Sequence, residues 1–283
     1  MSRVAIVTDS ASDLPPAAAA AAGIDVVPLA VTFGAESYKA GVDLSTDEFW
    51  RRMTAPDAPF PTTAATSPGD FKAAYDRSIA EGATAIVSIH VAGTLSGTIK
   101  SAEIARDMVR DAEIHIIDSG TASMGEGILA QIAAEMAAAG ASARAIVDVL
   151  EARKSDLDLY VALDTLEYLR KGGRISGAQA AIGTLLSVKP IITIRDGLVH
   201  TADKPRTRGK ARERVLELLL ARAVERLAVL YTPPADGEAF RAEVLRRLGG
   251  AIGPERVSIQ PVGPSVGPHL GPGCVGGVVL YAR

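Results

Sequence analysis

One cysteine, Cys274, stands among 283 residues, so no intramolecular disulfide can staple the chain and its fold must rest on packing. Aromatic residues make up only 4 % of the sequence, with a single tryptophan, which leaves aliphatic side chains to fill the core. Neither sign of charge dominates. Thirty basic against 33 acidic residues give a net charge of −3, and no global field draws the chain to nucleic acid or an anionic membrane. Long hydrophobic runs are missing as well. Val4-Ala5-Ile6-Val7 is too short for the core of an export signal, and Ala17 to Ala22 falls far below the length that spans a bilayer. No G-x-x-x-x-G-K-[ST] stretch offers a triphosphate loop, and GTLSG (93–97) lacks the dinucleotide-binding spacing. The four histidines, His90, His115, His200 and His269, lie far apart without cysteine clusters, so no metal site is expected. These absences describe a soluble, cytoplasmic, bacterial-type protein.

What is present is a rhythm. Apolar segments of four to six residues alternate with longer helical stretches, the βαβ pattern of a mostly parallel sheet. Strands are expected at Val4–Thr8, Val26–Phe33, Ala85–Ile89 and Ile114–Asp118, and helices at Pro15–Ala22, Thr46–Met53, Pro68–Ala80, Thr98–Arg110, Ser123–Ala139 and Ser142–Lys154. Ser67 before Pro68 reads as a helix cap followed by a first-turn proline. A second unit begins near Leu157 with strand Leu159–Leu163, helix Thr165–Lys171 stopped by Gly172-Gly173, strand Lys189–Ile194, and an Asp196-Gly197 turn into Val199–Thr201. Helix 207–221, strand Leu227–Tyr231, helix 236–248, and strands Val257–Gln260 and Gly277–Tyr281 complete it. The fold class is therefore α/β in two domains. Residues 1–156 form a parallel sheet flanked by helices and carry the binding loops; 157–283 form a smaller mixed α/β domain.

Three strand-to-helix loops of the first half are rich in hydroxyls: TDSASDLP (8–15), HVAGTLSGT (90–98) and DSGTASMG (118–125). In a parallel sheet such loops converge on one edge, beyond the carboxyl ends of the strands, where ligands of open α/β sheets sit. Backbone N–H groups at the start of the helix near Thr98 suit an anion. The loop 90–98 holds no lysine or arginine, and a helix end supplies only about half a positive charge, which favours a single carboxylate over a polyphosphate.

Other readings compete. Asp9 and Asp118 each end a strand before a serine, a position usually filled for turn bonding. Ser96 with His269 and Asp118 or Asp9 would make a nucleophilic triad of a hydrolase or phosphotransferase, although no G-x-S-x-G elbow is present. KPRTRGKARER (204–214) carries six basic residues against one acidic, as a solvated face or as a rim for phosphate or an acidic partner; it lacks the interleaved aromatics that stack RNA bases. GPSVGPHLGPGCVGG (263–277) offers Ser265 and His269 as its polar side chains, the latter a candidate for a ligand mouth.

Taken in order, the segments VTDSASDLP, PTTAATSPGDF, AGTLSGTIKSAE, DSGTASMGEG, LDTLEYLRKGGRISG, KPIITIRDG and GPHLGPGCVG resemble the DegV family of bacterial fatty-acid-binding proteins over nearly the whole chain. The resemblance implies one long-chain fatty acid, such as palmitate, between two α/β domains, with no catalysis by this chain and no cofactor. By motif, Thr63 and Ser96 would hold the carboxylate, Gly97 would add backbone, and His269 would sit beside it. Arg174 of Gly-Gly-Arg-Ile-Ser and Arg206 of Lys-Pro-Arg would line the rim. A separate ATP-dependent fatty acid kinase would receive the acid; neither nucleic acid nor stable membrane insertion is implied. Where the family has Ser-Gln-Pro after the threonine, this chain has Ala64-Ala65-Thr66. About fifteen buried methylenes are worth roughly 12 kcal/mol, so the carboxylate anchor need supply orientation rather than affinity.

Overall fold

A computed structural model of the chain describes residues 3–175 and 188–283; the Ser176-Gly177 end of the glycine-arginine motif lies outside the described residues. In chain order the first half runs β1 (Val4–Asp9), α1 (Pro16–Ala22), β2 (Ile24–Val27), β3 (Ala30–Phe33), β4 (Glu36–Lys39), α2 (Thr46–Met53), β5 (Thr62–Ala64), α3 (Pro68–Ala80), β6 (Ala85–His90), α4 (Thr98–Asp107), β7 (Glu113–Asp118), α5 (Met124–Ala138) and α6 (Ala143–Arg153). The second runs β8 (Leu157–Ala162), α7 (Glu167–Lys171), β9 (Ile191–Arg195), β10 (Leu198–Asp203), α8 (Arg208–Leu219), β11 (Val224–Tyr231), α9 (Gly237–Leu248), β12 (Val257–Pro261), α10 (Gly267–Leu270) and β13 (Val275–Tyr281).

Many of these boundaries have local causes. Ser45, Ser67, Ser142 and Thr207 each turn a hydroxyl onto a free amide in the first turn of α2, α3, α6 and α8. Gly23, at φ +65°, ends α1 in the left-handed conformation that glycine adopts without strain. The expected strand Val26–Phe33 is two strands. Pro28, which has no N–H to donate, stands between them, and the Leu29 amide donates to Ser10 Oγ at 2.8 Å instead of to a sheet. The helix expected to reach Arg110 stops at Asp107, and the short strands β4 and β5 carried no alternating signal.

Strands β2-β1-β6-β7 form a fully parallel sheet, and β4-β3-β5 a small antiparallel one. The second half builds a six-stranded sheet in the order β10-β9-β8-β13-β11-β12, antiparallel except for the β11–β12 pair. Its two faces have different partners. Leu159, Val161, Ile192 and Leu230 pack in one cluster with Ile128, Leu129 and Ala133 of α5; their sequence neighbours Tyr160, Ala162, Ile191 and Val229 pack in another with α8 and α9. Burial on both sides explains the nearly unbroken apolar runs. Helix α5 lies between the two sheets and touches β1 and β13. Its Ala/Gly composition permits that position: a Cβ on Gly127 would fall 2.8 Å from the Ser12 carbonyl oxygen. Among the described residues no helix is long and apolar enough to cross a membrane.

The central strand β13 shows how closely the second sheet is fitted. A Cβ on Gly276 would stand 2.1 Å from the Tyr160 carbonyl oxygen in β8, where backbone cannot give way. Gly276→Ala is expected to destabilise the protein by about 1–3 kcal/mol, measured by urea unfolding.

Candidate functional site

In the order β2-β1-β6-β7 the connections leave β1 and β6 toward opposite edges, so the loops after these two strands diverge and open a crevice at their carboxyl ends. The loop after β1 carries Ser10 and Ala11, the loop after β6 carries Val91 to Gly97, and the loop after β7 carries Ala122 and Ser123. The six-stranded sheet covers that crevice. Between them is a partly open cavity; the space free of protein atoms there, the solvent at its mouth included, amounts to about 720 Å³. Leu159, Val161, Ile192, Ile194, Val199 and Leu230 form its wall on the sheet side, and Leu95, Leu169 and Leu270 extend it. The polar lining consists of Thr63, Ser96, Ser123, Arg174, Ser265 and His269.

Four of the six residues singled out from sequence therefore meet in one cavity. Thr63 Oγ1 and His269 Nε2 are 3.1 Å apart. Arg174 donates from Nε to the Leu95 carbonyl at 3.0 Å and from a terminal nitrogen to the Gly172 carbonyl at 2.6 Å, so the guanidinium braces the Ser96 loop. Ser96 Oγ is 2.8 Å from Thr98 Oγ1 and accepts weakly from the Thr98 amide at 3.3 Å. Gly97 is exposed at the start of α4 and outside the cavity lining; its α-carbon faces the Ala65 methyl, bringing the Ser96 loop to the strand that carries Thr63. Ala65 belongs to the segment that departs from the family pattern, and Thr66 next to it is buried with its hydroxyl on the Pro28 carbonyl at 3.0 Å. Arg206 is exposed beyond β10 and lines none of this cavity.

His269 is held unusually. Burial, with the Arg174 charge second, pushes its imidazole down from 6.5 to about 4, so the ring is neutral near pH 7. Its Nδ1 is buried with no hydrogen-bond partner. The ring presses on Gly172, where a Cβ would come within 2.1 Å of Nδ1. The neutral ring and the Thr63 and Ser96 hydroxyls can give or take hydrogen bonds without committing a full charge.

The triad reading finds other bonds in its place. Among the described residues no hydrogen bond joins Ser96, His269 and Asp118; Asp118 is exposed and accepts from the Gly93 amide at 3.2 Å and the Gly120 amide at 2.8 Å. Asp9 lies elsewhere, in a network the sequence did not reveal. Asp9, His90 and Glu126 are fully buried with ligand-type atoms within 4.8 Å of one another. Asp9 accepts from the Ala11 amide at 2.9 Å and faces His90 Nδ1 at 3.0 Å; His90 Nε2 continues to Ser88 at 2.7 Å, and Ser88 to Tyr75 at 2.9 Å. Glu126 accepts from Thr8 Oγ1 at 2.7 Å, and burial together with the Asp9 charge raises its carboxyl well above the usual range. The network fixes the loops after β1 and β6 from beneath. His90 and Glu126 sit 36 residues apart in sequence, at a strand end and in a helix first turn, without a shared motif.

Comparison with known proteins gives a family and a fold. The family model described as "uncharacterised protein, DegV family" matches residues 3–282. A DegV domain-containing protein of Streptomyces coelicolor is 37 % identical over 287 residues, covering 99 % of each chain. Among solved structures, a fatty-acid-binding DegV family protein from Thermus thermophilus superimposes with a TM-score of 0.89 at 35 % identity, covering 99 % of this chain and 100 % of its own. DegV of Bacillus subtilis, described as a fatty acid binding protein, gives 0.86 at 31 % identity, covering 99 % of both chains.

The lowered value for His269 has a measurable consequence. A histidine whose folded value lies below its unfolded one stabilises the fold above about 6.5, and that contribution is lost as pH falls through about 4. NMR titration of the ligand-free protein is expected to place the His269 transition near pH 4. His269→Gln is expected to flatten the fall in stability between pH 6.5 and 4.

Proposed function

The chain belongs to the DegV family, and from that premise we propose that it is a carrier of a single long-chain fatty acid, whose tail lies in the cavity and whose carboxylate meets Thr63, Ser96 and His269. One observation carries this reading: the cavity has an aliphatic sheet face for a wall, while its polar lining includes two tied pairs, Thr63 with His269 and Arg174 with the loop that carries Ser96. A detergent-like ligand, apolar along its length and anionic at one tip, matches that division. The two sheets then act as two domains, residues 1–156 and 157–283, closing on the tail.

The energetics favour holding over altering. Burying about fifteen methylenes supplies roughly 12 kcal/mol, so hydroxyls and a neutral imidazole suffice to orient the head. A bidentate arginine clamp would grip the carboxylate more tightly; here the Arg174 guanidinium already donates to the Leu95 and Gly172 carbonyls. A head group left in a weak cradle can be passed on. The same reading extends to a partner, an ATP-dependent kinase that phosphorylates the presented carboxylate, with exposed Arg206 as part of the surface it meets. On this reading the chain needs no cofactor of its own and is not itself a catalyst.

The purified protein is expected to carry lipid through purification, since burial of this size implies slow release. Native mass spectrometry is expected to find one added mass of about 250–285 Da, the range of common long-chain acids near the fifteen-methylene estimate. Ser96→Ala is expected to retain the lipid with affinity about tenfold weaker, the worth of one hydrogen bond to a charged group. Val161→Phe, which fills the tail wall, is expected to exclude acids of that length while the head group residues remain. Ester or phosphate turnover that Ser96→Ala abolishes would replace the carrier by a hydrolase or phosphotransferase.

A further inference from the structure

The segment from Val262 to Leu270 brings Ser265, Val266, His269 and Leu270 to the cavity and belongs to the second half of the chain, where the Val262 amide donates to the Tyr231 carbonyl at 2.9 Å. Side chains of the first half hold it from the other side. Trp50 of α2 donates its indole N–H to the Val262 carbonyl at 2.8 Å. Ser10 Oγ stands 2.8 Å from Ser265 Oγ, and Thr63 meets His269 at the far end. Asp13 does more than any of these. One carboxylate oxygen accepts the Gly263 amide at 2.8 Å, and the other accepts the hydroxyl of Ser123, the residue that opens α5 and lines the cavity. Asp13 thus bridges an element on each side of the cavity.

The local backbone is arranged for that bridge. Asp13 and Ser123 are both non-glycine residues in positive-φ conformations, at φ 53° and 56°, which chains adopt at a cost only where the surroundings hold them. Gly263 is fitted to the carboxylate, since a Cβ there would lie 2.9 Å from Asp13 Oδ1. Gly267, one turn on, is fitted to α2: its Cβ would meet Phe49 at 2.5 Å and Trp50 at 3.0 Å. The Gly263 carbonyl in turn accepts the Gly267 amide at 2.8 Å, so the amide that Asp13 anchors and the start of α10, which carries His269, move together.

We propose that Asp13 is a positioning residue for the head-group site: by holding the Gly263 amide and the Ser123 hydroxyl on one carboxylate, it sets the 263–270 segment, and with it Ser265 and His269, against the loops of the parallel sheet. Asp13 lies outside the cavity lining and acts through these two partners. The lipid arm of the proposal rests on the fatty-acid reading; the structural arm does not.

Trp50, the only tryptophan, touches the segment at Val262 and Gly267 and so reports its seating. In the full-length protein, Asp13→Ala is expected to red-shift Trp50 emission when delipidated and, once reloaded, to speed release of palmitate at least tenfold. Asp13→Asn, whose amide oxygen still accepts the Gly263 amide, is expected to restore the emission and bring release within about threefold of the wild type. Gly263→Ala, which displaces the carboxyl while leaving the Asp13 side chain in the protein, is expected to reproduce the Asp13→Ala emission and serves if that variant fails to fold. Ser96→Ala is expected to weaken palmitate binding without moving Trp50. Unchanged emission in both Asp13→Ala and Gly263→Ala would overturn the proposal, as would an Asp13→Asn protein no better than Asp13→Ala. Should the wild type bind no palmitate, the carrier reading falls, and the emission of the ligand-free variants still decides the role of Asp13.

Discussion

The strand ends of the parallel sheet carry amides and hydroxyls that water would satisfy on an open surface, and the sheet face set against them offers no partner. Leu159, Val161, Ile192 and Leu230 present only hydrocarbon to the loops that hold Ala11, Ser96 and Ser123. Polar groups that face an apolar wall must satisfy one another, and they do so around the cavity: Thr63 with His269, Ser96 with Thr98, Ser10 with Ser265, Ser123 with Asp13. The mismatch between the two surfaces is what leaves a space of mixed character between them. Helix α5, small enough along its length to lie between both sheets, keeps them at the distance that space requires.

Two of the buried groups that remain unsatisfied are informative for the same reason. His269 Nδ1 and Glu126 Oε2 are buried without partners, one at the cavity and one beneath it. Burial drives the two in opposite directions, the imidazole down and the carboxyl up, and both shifts favour the uncharged form. The polar lining of the cavity is thereby kept short of formal charge, with Arg174 as the nearby cation and two of its donors on the Leu95 and Gly172 carbonyls. An anionic tip entering such a place meets hydrogen-bonding groups and little competing charge. On the carrier reading proposed above, that suits a ligand whose affinity comes from its tail.

Much of the scaffold was legible along the chain. The caps at Ser67 and Ser142, the glycine stops, the short apolar strands and the hydroxyl-rich loops after β1, β6 and β7 are local events, decided by residues a few positions apart. The strand through Pro28 was misread because the run of apolar residues is continuous there, and only the missing amide and the pull of Ser10 on Leu29 divide it. Thr63, Ser96, Arg174 and His269 could be picked out by motif, and all four line the cavity. Nothing local marked Glu126, His90 or Trp50, since each earns its place through partners tens or hundreds of residues away.

Composition and periodicity by themselves determined an aliphatic α/β chain with polar loops at strand ends, because those properties follow from neighbours in sequence: amide capping, alternation, turn chemistry. The tertiary structure alone decided that the second sheet would turn its hydrocarbon face toward those loops, that Arg174 would brace the Ser96 loop, and that Asp13 would join Gly263 to Ser123. Such pairings are settled by how two independently patterned surfaces meet, and a one-dimensional pattern holds no term for the distance between residues 13 and 263.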